Sequence, residues 1–117
     1  MKNIPYIKVD GKNNVYDVVE FNGDLDKTGL EEVRGEIDLL IENSPKKYIV
    51  FDCKNLNFIN SEGIGFFLTV HYRLLKKEQT LVLTGINQHV KDVMDVIGAF
   101  EIIKYFENMD KFKESLK

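Results

Sequence analysis

Two short, strongly apolar segments separated by a long amphipathic one are the feature that most constrains the fold. Residues 48–52 read YIVFD and residues 80–84 read TLVLT, and short continuous apolar runs of this kind are typical of strands buried on both faces. Between them, residues 61 to about 77 carry apolar side chains at helical spacing, which predicts an amphipathic helix. A strand, a helix and a strand in this order predict parallel neighbours in one sheet, with YIVFD as the central strand.

The segments before the first buried strand predict a hairpin and a helix. Residues 6–21 hold two β-rich runs around DGKNN, whose glycine and asparagines suit a tight reversal. The following GDLD interrupts the strand pattern, and residues 28–43 then place apolar side chains on one helical face. Asp26 or Thr28 is placed to cap that helix. The stretch CKNLNFIN, residues 53–60, is predicted to be a loop.

The segments after the second buried strand complete the alternation. Residues 88–97 predict a third helix, which Gly98 is placed to end. Residues 101–106, EIIKYF, predict a short edge strand, and residues 109–117 predict a terminal helix. The predicted fold class is α/β: a single domain over residues 1–117 with a mixed four- to five-stranded sheet, an N-terminal hairpin followed by βαβαβ order, and about four helices packed largely on one face.

Charge and composition argue against several functional classes. The chain carries 16 basic against 19 acidic residues, whereas a nucleic-acid binder holds phosphates with clustered Lys and Arg. Cys53 is the single cysteine, which rules out an intrachain disulfide and favours a reducing compartment. His71 and His89 lie too far apart for a metal-ligand motif, so neither a metal nor a cofactor is predicted. Because the chain has no secretory segment and no apolar run of about 18 residues, the expected location is cytoplasmic, without membrane insertion.

The amphipathic helix from residue 61 has an expected buried face. The side chains predicted to be buried are Ile64, Phe67, Leu68, Leu74 and Leu75. His71 falls within the same arc and is interpreted as a core or boundary histidine with a hydrogen-bonded ring. Phe66 and Val70 flank the arc. An exposed Phe66 would suggest a partner surface, whereas a buried Phe66 would add one core contact.

The stretch FINSEGIG, residues 58–65, places a serine and two glycines at the start of this helix. Ser61 has three interpretations: a helix cap, a catalytic nucleophile, or a site that another protein modifies. Capping alone would account for the residue, because free N–H groups at a helix start favour an oxygen. The nucleophile interpretation lacks both the glycine two positions before the serine and a local base.

The two glycines of that stretch do not form a nucleotide motif. Gly63 and Gly65 match neither a phosphate loop with its Lys-Ser/Thr ending nor a full dinucleotide fingerprint. Glycine is about 1 kcal/mol less favourable than alanine inside a helix, so two in one turn indicate a requirement. They are expected to keep the first turn bare, so that another backbone or a partner approaches closely.

Three longer stretches match one known pattern: GDLD at residues 23–26, IVFDCKNLNFINSEGIGFFL at residues 49–68, and LVLTGINQHVKDVMDVIGAFEIIKYF at residues 81–106. Together they resemble the bacterial anti-sigma factor antagonists, which belong to the STAS domain family. The resemblance spans nearly the whole chain and implies the STAS fold, a mixed sheet with helices largely on one side.

The resemblance also implies a site. In the family, the loop before the second helix typically reads Asp-Ser-Ser/Thr-Gly-Leu/Ile-Gly, and residues 60–65 match it except at Asn60 and Glu62. Ser61 thereby takes the place of the serine that a partner anti-sigma factor, itself a serine kinase, phosphorylates. Asp24 matches an acidic position in the loop after the second strand. The residues expected to contact the partner are Asp24, Asp26, Asn60, Glu62, Gly63, Gly65, Phe66 and Thr69.

The function implied by the resemblance is a protein-interaction switch without enzymatic activity. Unmodified protein binds the anti-sigma factor and releases a sigma factor, and phosphorylation of Ser61 switches this binding off. A serine phosphatase acting on the phosphorylated form resets the switch. The alternative is a non-enzymatic STAS scaffold, or an accessory subunit of a signalling complex or a transporter. The expected oligomeric state is a monomer or a weak dimer.

Overall fold

The computed structural model describes residues 6–117, which form a five-stranded mixed sheet and four α-helices. In chain order the elements are β1 Tyr6–Asp10, β2 Tyr16–Leu25, α1 Lys27–Asn43, β3 Tyr48–Ile59, α2 Ser61–Lys76, β4 Thr80–Thr84, α3 Gln88–Ile97, a 3-10 helix Ala99–Glu101, β5 Lys104–Phe106 and α4 Met109–Ser115. The strands lie side by side in their sequence order; β1 is antiparallel to β2, and the other neighbours are parallel. The predicted fold class and order of elements are confirmed.

The predicted central strand, β3, lies between β2 and β4 in the middle of the sheet. Ile49, Val50 and Phe51 are completely buried. Since successive strand side chains point to opposite faces, Ile49 and Phe51 join the core under α1, α2 and α3, whereas Val50 joins the smaller core under α4. A strand covered on both faces has no solvent-facing side, which is why its sequence is continuously apolar.

Each face of the sheet has its own aromatic centre. Phe21, Phe51 and Phe67 pack together beneath the first three helices, with ring centroids 4.9 to 5.5 Å apart. On the opposite face, Phe112 of α4 packs edge-on against Tyr16 and Tyr48, at centroid distances of 5.2 and 5.5 Å. Three helices therefore cover one face and the terminal helix covers part of the other, which agrees with helices packed largely on one face.

The prediction of a loop at residues 53–60 is wrong, because β3 continues to Ile59. Its partner β2 also continues, with Asp24 opposite Phe58 and Leu25 opposite Ile59. Two register shifts interrupt this part of the ladder, and the buried residues of β3 then fall at Cys53, Leu56 and Ile59. A three-residue period of burial matches no regular strand pattern, which explains why the polar residues between them suggested a loop.

The buried face of α2 is rotated from the one predicted. Leu75 is 49% exposed and Leu68 is half-buried, whereas Phe66 and Val70 are buried. The rotation arises because α2 packs against α1 as well as against the sheet, and Phe66 lies beneath Arg34 of α1. Of the two alternatives for Phe66, the structure shows the core contact.

His71 is buried within α2 as predicted, but its ring is not fully hydrogen-bonded. Its Nδ1 atom finds no hydrogen-bond partner in the part of the chain that the structure describes. Burial lowers the pKa of the His71 imidazole, because water no longer stabilises the charged form. The residue therefore acts as a neutral packing group next to Tyr72, with ring centroids 5.0 Å apart.

The two glycines at the start of α2 have different environments. A Cβ atom added at Gly63 would lie 2.6 Å from both the Leu25 carbonyl oxygen and the Ile59 Cγ1 atom. A Cβ atom added at Gly65 would meet nothing within 4 Å. The bare turn predicted from the sequence is therefore needed at Gly63 for this chain's own strand ends, whereas no neighbour within the described chain requires Gly65.

Alanine substitutions at these glycines should change stability in opposite directions. Gly63→Ala should lower the free energy of unfolding by about 1 to 3 kcal/mol, because the added methyl group overlaps backbone and core atoms. Gly65→Ala should raise it by about 0.5 to 1 kcal/mol, because alanine has the higher helix propensity and the site is open. Urea unfolding followed by circular dichroism measures both, each variant serving as the other's control. Changes of the same sign would contradict this packing.

Candidate functional site

Three helices begin at the carboxyl ends of the parallel strands. The cap residues are Asp26 for α1, Asn60 for α2 and Asn87 for α3, and each side chain accepts a hydrogen bond from a backbone N–H of the first turn, at 2.8 to 3.0 Å. Asn87 also donates to the Leu56 carbonyl at 2.9 Å, which ties α3 to the extended part of β3. The positive ends of three helix dipoles thus meet at one edge of the sheet, which favours negative charge there.

The interpretation of Ser61 as the helix cap is wrong, because Asn60 caps α2. Asn60 has extended backbone angles, φ −106° and ψ −175°, and its Oδ1 accepts from the Gly63 N–H at 3.0 Å. Its backbone N–H donates to the Leu25 carbonyl at 3.3 Å, which joins the start of α2 to the end of β2. Asparagine and serine are about equally good caps, so their order in the sequence did not decide between them.

Ser61 is the first residue of α2, and it is exposed. Its hydroxyl makes no hydrogen bond to any residue within 6–117, so the described chain supplies no general base for it. Asn60 caps the Gly63 amide, and the amides of Ser61 and Glu62 come before the first intrahelical hydrogen bond. The structure thus presents a free hydroxyl beside backbone donors that suit an anion.

Acidic side chains surround this start of α2. Asp24 was expected in a loop, but it lies near the end of β2, is exposed, and stands opposite Phe58. Asp26 is partly buried because its carboxylate caps α1, and Glu62 is exposed in the first turn of α2. The hydrogen bond between Leu25 and Asn60 brings these two helix starts together, so their acidic side chains share this edge with Lys27, the exposed first residue of α1.

The remaining expected contact residues all lie on α2 but differ in exposure. Gly63 faces inward and is buried, and Phe66 is only 6% exposed, so neither offers much surface. Gly65 and Thr69 are exposed, and the Thr69 hydroxyl donates to the Gly65 carbonyl at 2.9 Å. Glu62, Gly65, Phe66 and Thr69 line a groove of about 560 Å³ that α2 shares with α1.

Phe58 and His89 are an exposed pair that the sequence did not indicate. Phe58 is 38% exposed at the end of β3, and its ring stacks on that of His89 in the first turn of α3, with centroids 6.0 Å apart. An aromatic residue assigned to a loop gives no reason to expect such a contact. A strand assignment for residues 53–59 would have placed Phe58 at this edge.

The described chain offers neither a metal-binding cluster nor a reactive cysteine. Residues 6–117 contain no group of three or more His, Cys, Asp or Glu side chains that is placed to hold a metal. Burial, and secondarily the charge of Asp52, raises the pKa of the Cys53 thiol far above its usual range. Cys53 is therefore a packing residue. None of the helices described is both long and apolar enough to cross a membrane.

The fold defines the class of protein: a small α/β domain with an N-terminal hairpin, a five-stranded mixed sheet and most helices on one face. The chain belongs to the STAS domain family, whose sequence profile matches residues 6–112.

Individual relatives agree with this assignment. The anti-sigma F factor antagonist of Paenibacillus polymyxa is 29% identical over 91 residues, which are 78% of each chain. The unphosphorylated anti-sigma factor antagonist SpoIIAA has a TM-score of 0.78 and 18% identity, covering 95% of this chain and 96% of that one. The phosphorylated form of the Bacillus cell fate determinant SpoIIAA has a TM-score of 0.71 and 17% identity, covering 96% and 100%. The structural likeness at these identities shows a common fold.

Capping by Asn60 predicts a difference between two adjacent substitutions. Asn60→Ala should lower the free energy of unfolding by about 1 kcal/mol, because the Gly63 amide loses its partner. Ser61→Ala should change it by less than about 0.5 kcal/mol, because an exposed, unbonded hydroxyl contributes little. Chemical denaturation of both variants beside the unmodified protein tests this. Equal losses at the two positions would mean that Ser61 shares the cap.

Proposed function

We propose that this protein is an anti-sigma factor antagonist that works as a phosphorylation-controlled switch. In its unmodified form it binds an anti-sigma factor with serine kinase activity and so releases a sigma factor. Phosphorylation of Ser61 ends that binding, and a serine phosphatase restores it. The observation that carries the proposal is the exposed, unbonded Ser61 hydroxyl at the start of a helix that another residue caps. The Paenibacillus relative, named an anti-sigma F factor antagonist, supports the same function.

The position of Ser61 should let the fold tolerate a phosphate. Phosphorylation adds about −1.5 to −2 charges near neutral pH. At a helix N-terminus such a charge is stabilised by roughly 0.3 to 1 kcal/mol through the dipole and the free amides. Ser61 is exposed, so the phosphate displaces no packed group. The modified protein is therefore expected to stay folded.

The same charge should prevent binding of the partner. Asp24 and Glu62 already place exposed carboxylates at this end of the sheet. A partner that packs closely against the unmodified hydroxyl would have to accommodate a desolvated phosphate. A hundredfold loss of affinity requires only about 2.7 kcal/mol, which is within reach of one buried, poorly matched charge.

The chemistry of the switch would belong to the partners. Phosphoryl transfer requires ATP, Mg²⁺ and a residue that orients the attacking hydroxyl. The described chain brings no base to Ser61, so in this proposal the kinase supplies every one of these parts. The protein itself contributes a positioned acceptor and a surface that binds.

One other surface favours a second candidate function. In that case the protein would be a non-enzymatic scaffold, or an accessory subunit of a signalling complex or a transporter. Val96 is 88% exposed at the end of α3, and Ile97 and Ile102 near it are also exposed. Exposed apolar side chains that lie close together favour a permanent contact with another protein, which would remove them from water. A switch should bind its partner only when Ser61 is unmodified, whereas a scaffold should bind regardless of that state.

The proposed switch predicts one phosphate at one residue. Incubation with the cognate anti-sigma kinase and ATP, followed by mass spectrometry, should place a stoichiometric phosphate on Ser61. Ser115→Ala should be phosphorylated to the same extent as the wild-type protein, whereas Ser61→Ala should not be phosphorylated. In pull-down assays Ser61→Ala should retain the partner, whereas Ser61→Asp should bind it at least about tenfold more weakly. A phosphate on another residue, or equal binding by both Ser61 variants, would reject the proposal.

A further inference from the structure

The surface between α1 and α2 contains two adjoining depressions. One is the groove of about 560 Å³, and the other, of about 480 Å³, lies on the α1 side. Both are lined by Leu30, Arg34, Asp38 and Glu62. Arg34 therefore lies at the boundary between them. Glu62 follows Ser61 directly, so this surface continues from the proposed switch site.

Arg34 is the cation that lines both depressions, whereas Lys27, which also makes no ion pair within the described residues, lines only the smaller one. Its side chain is exposed, and its guanidinium carbon lies 5.4 Å above the centroid of the Phe66 ring. Within residues 6–117 it makes no ion pair, whereas Arg73 in the same groove is 2.6 Å from Asp38. A guanidinium that rests on an aromatic ring keeps its edge available for a bidentate bond to a carboxylate.

The groove beside Arg34 has room for an incoming side chain. Apart from the chain neighbours and the backbone of its own helix, nothing lies within 4 Å of the place where a Cβ of Gly65 would stand, and the same holds for Gly35 of α1. Thr69 directs its hydroxyl to the Gly65 carbonyl. Internal packing thus does not explain either glycine, although each is less favourable than alanine in a helix.

We propose that this groove receives a carboxylate side chain of the partner anti-sigma factor, which pairs with Arg34 above Phe66. The inference rests on the proposed function and adds the chemistry by which the partner is recognised. Charge complementarity supports a carboxylate, because Asp38 is already paired with Arg73 and Arg34 is the groove cation without an acidic partner. Glu62 also lines the groove, so its negative charge opposes a partner carboxylate.

The test measures the affinity of the purified cognate anti-sigma kinase for charge variants by isothermal titration calorimetry. Arg34→Glu should weaken binding at least about tenfold. Glu62→Gln should bind the kinase at least as tightly as the wild-type protein does. The matched control is Lys113→Glu, which makes the same change in net charge on α4, on the opposite face of the sheet. The affinity of Lys113→Glu for the kinase should lie within about twofold of the wild-type affinity.

A charge exchange identifies the pairing group. Replacing the partner's surface carboxylates one at a time with arginine should yield one variant that binds Arg34→Glu better than it binds the unmodified protein. Thermal unfolding of Arg34→Glu should confirm that it remains folded. A folded Arg34→Glu that binds like the unmodified protein would overturn the proposal, as would weaker binding by Glu62→Gln, which indicates a basic occupant. If the unmodified protein itself does not bind the kinase, the proposed function fails, and this inference fails with it.

Discussion

The parallel pairing of β2 with β3 continues to Ile59, whereas the pairing of β3 with β4 ends at Asp52. This extension determines where the candidate site lies. This pairing places Leu25 beside Ile59, and the Leu25 carbonyl then accepts the N–H of Asn60, 3.3 Å away. The first turn of α2 approaches so closely that only glycine fits at position 63. The start of α2 is therefore held against the Leu25 carbonyl of β2 and the Ile59 side chain of β3, and the adjacent serine is presented in a fixed position on the surface.

Under the proposed function, the structural and the functional roles at this helix start fall on adjacent residues. Asn60 satisfies a first-turn amide and Gly63 provides the close contact with the strands, so the fold makes no demand on the Ser61 hydroxyl. A residue without a structural role can be modified without loss of the fold, and the helix dipole stabilises a phosphate at this position. Under the proposed function, the fold keeps the same shape in both states, and only the charge presented to the partner changes.

The sequence was sufficient for the order of the elements and insufficient for the full length of β3 and for the exact contacts. Apolar runs identified β3 and β4, and Gly98, with φ at 77°, ended α3 where its left-handed preference predicted. The extension of β3 was missed because two register shifts change the spacing of its buried residues. Asn60 and Ser61 are both good caps, and only the backbone geometry distinguishes them. The contact of Arg34 with Phe66 joins two helices and leaves no local pattern to detect.

The proposed function requires that an anti-sigma factor binds the edge where α1 and α2 begin. Titration of the isotope-labelled, unmodified protein with its cognate anti-sigma kinase, followed by two-dimensional NMR, tests it most directly. We expect the largest amide shift changes at residues 24–26, at residues 60–66 and around Arg34, with little change on α4. Changes concentrated on α4, or around the exposed residues 96–102 instead, would contradict it.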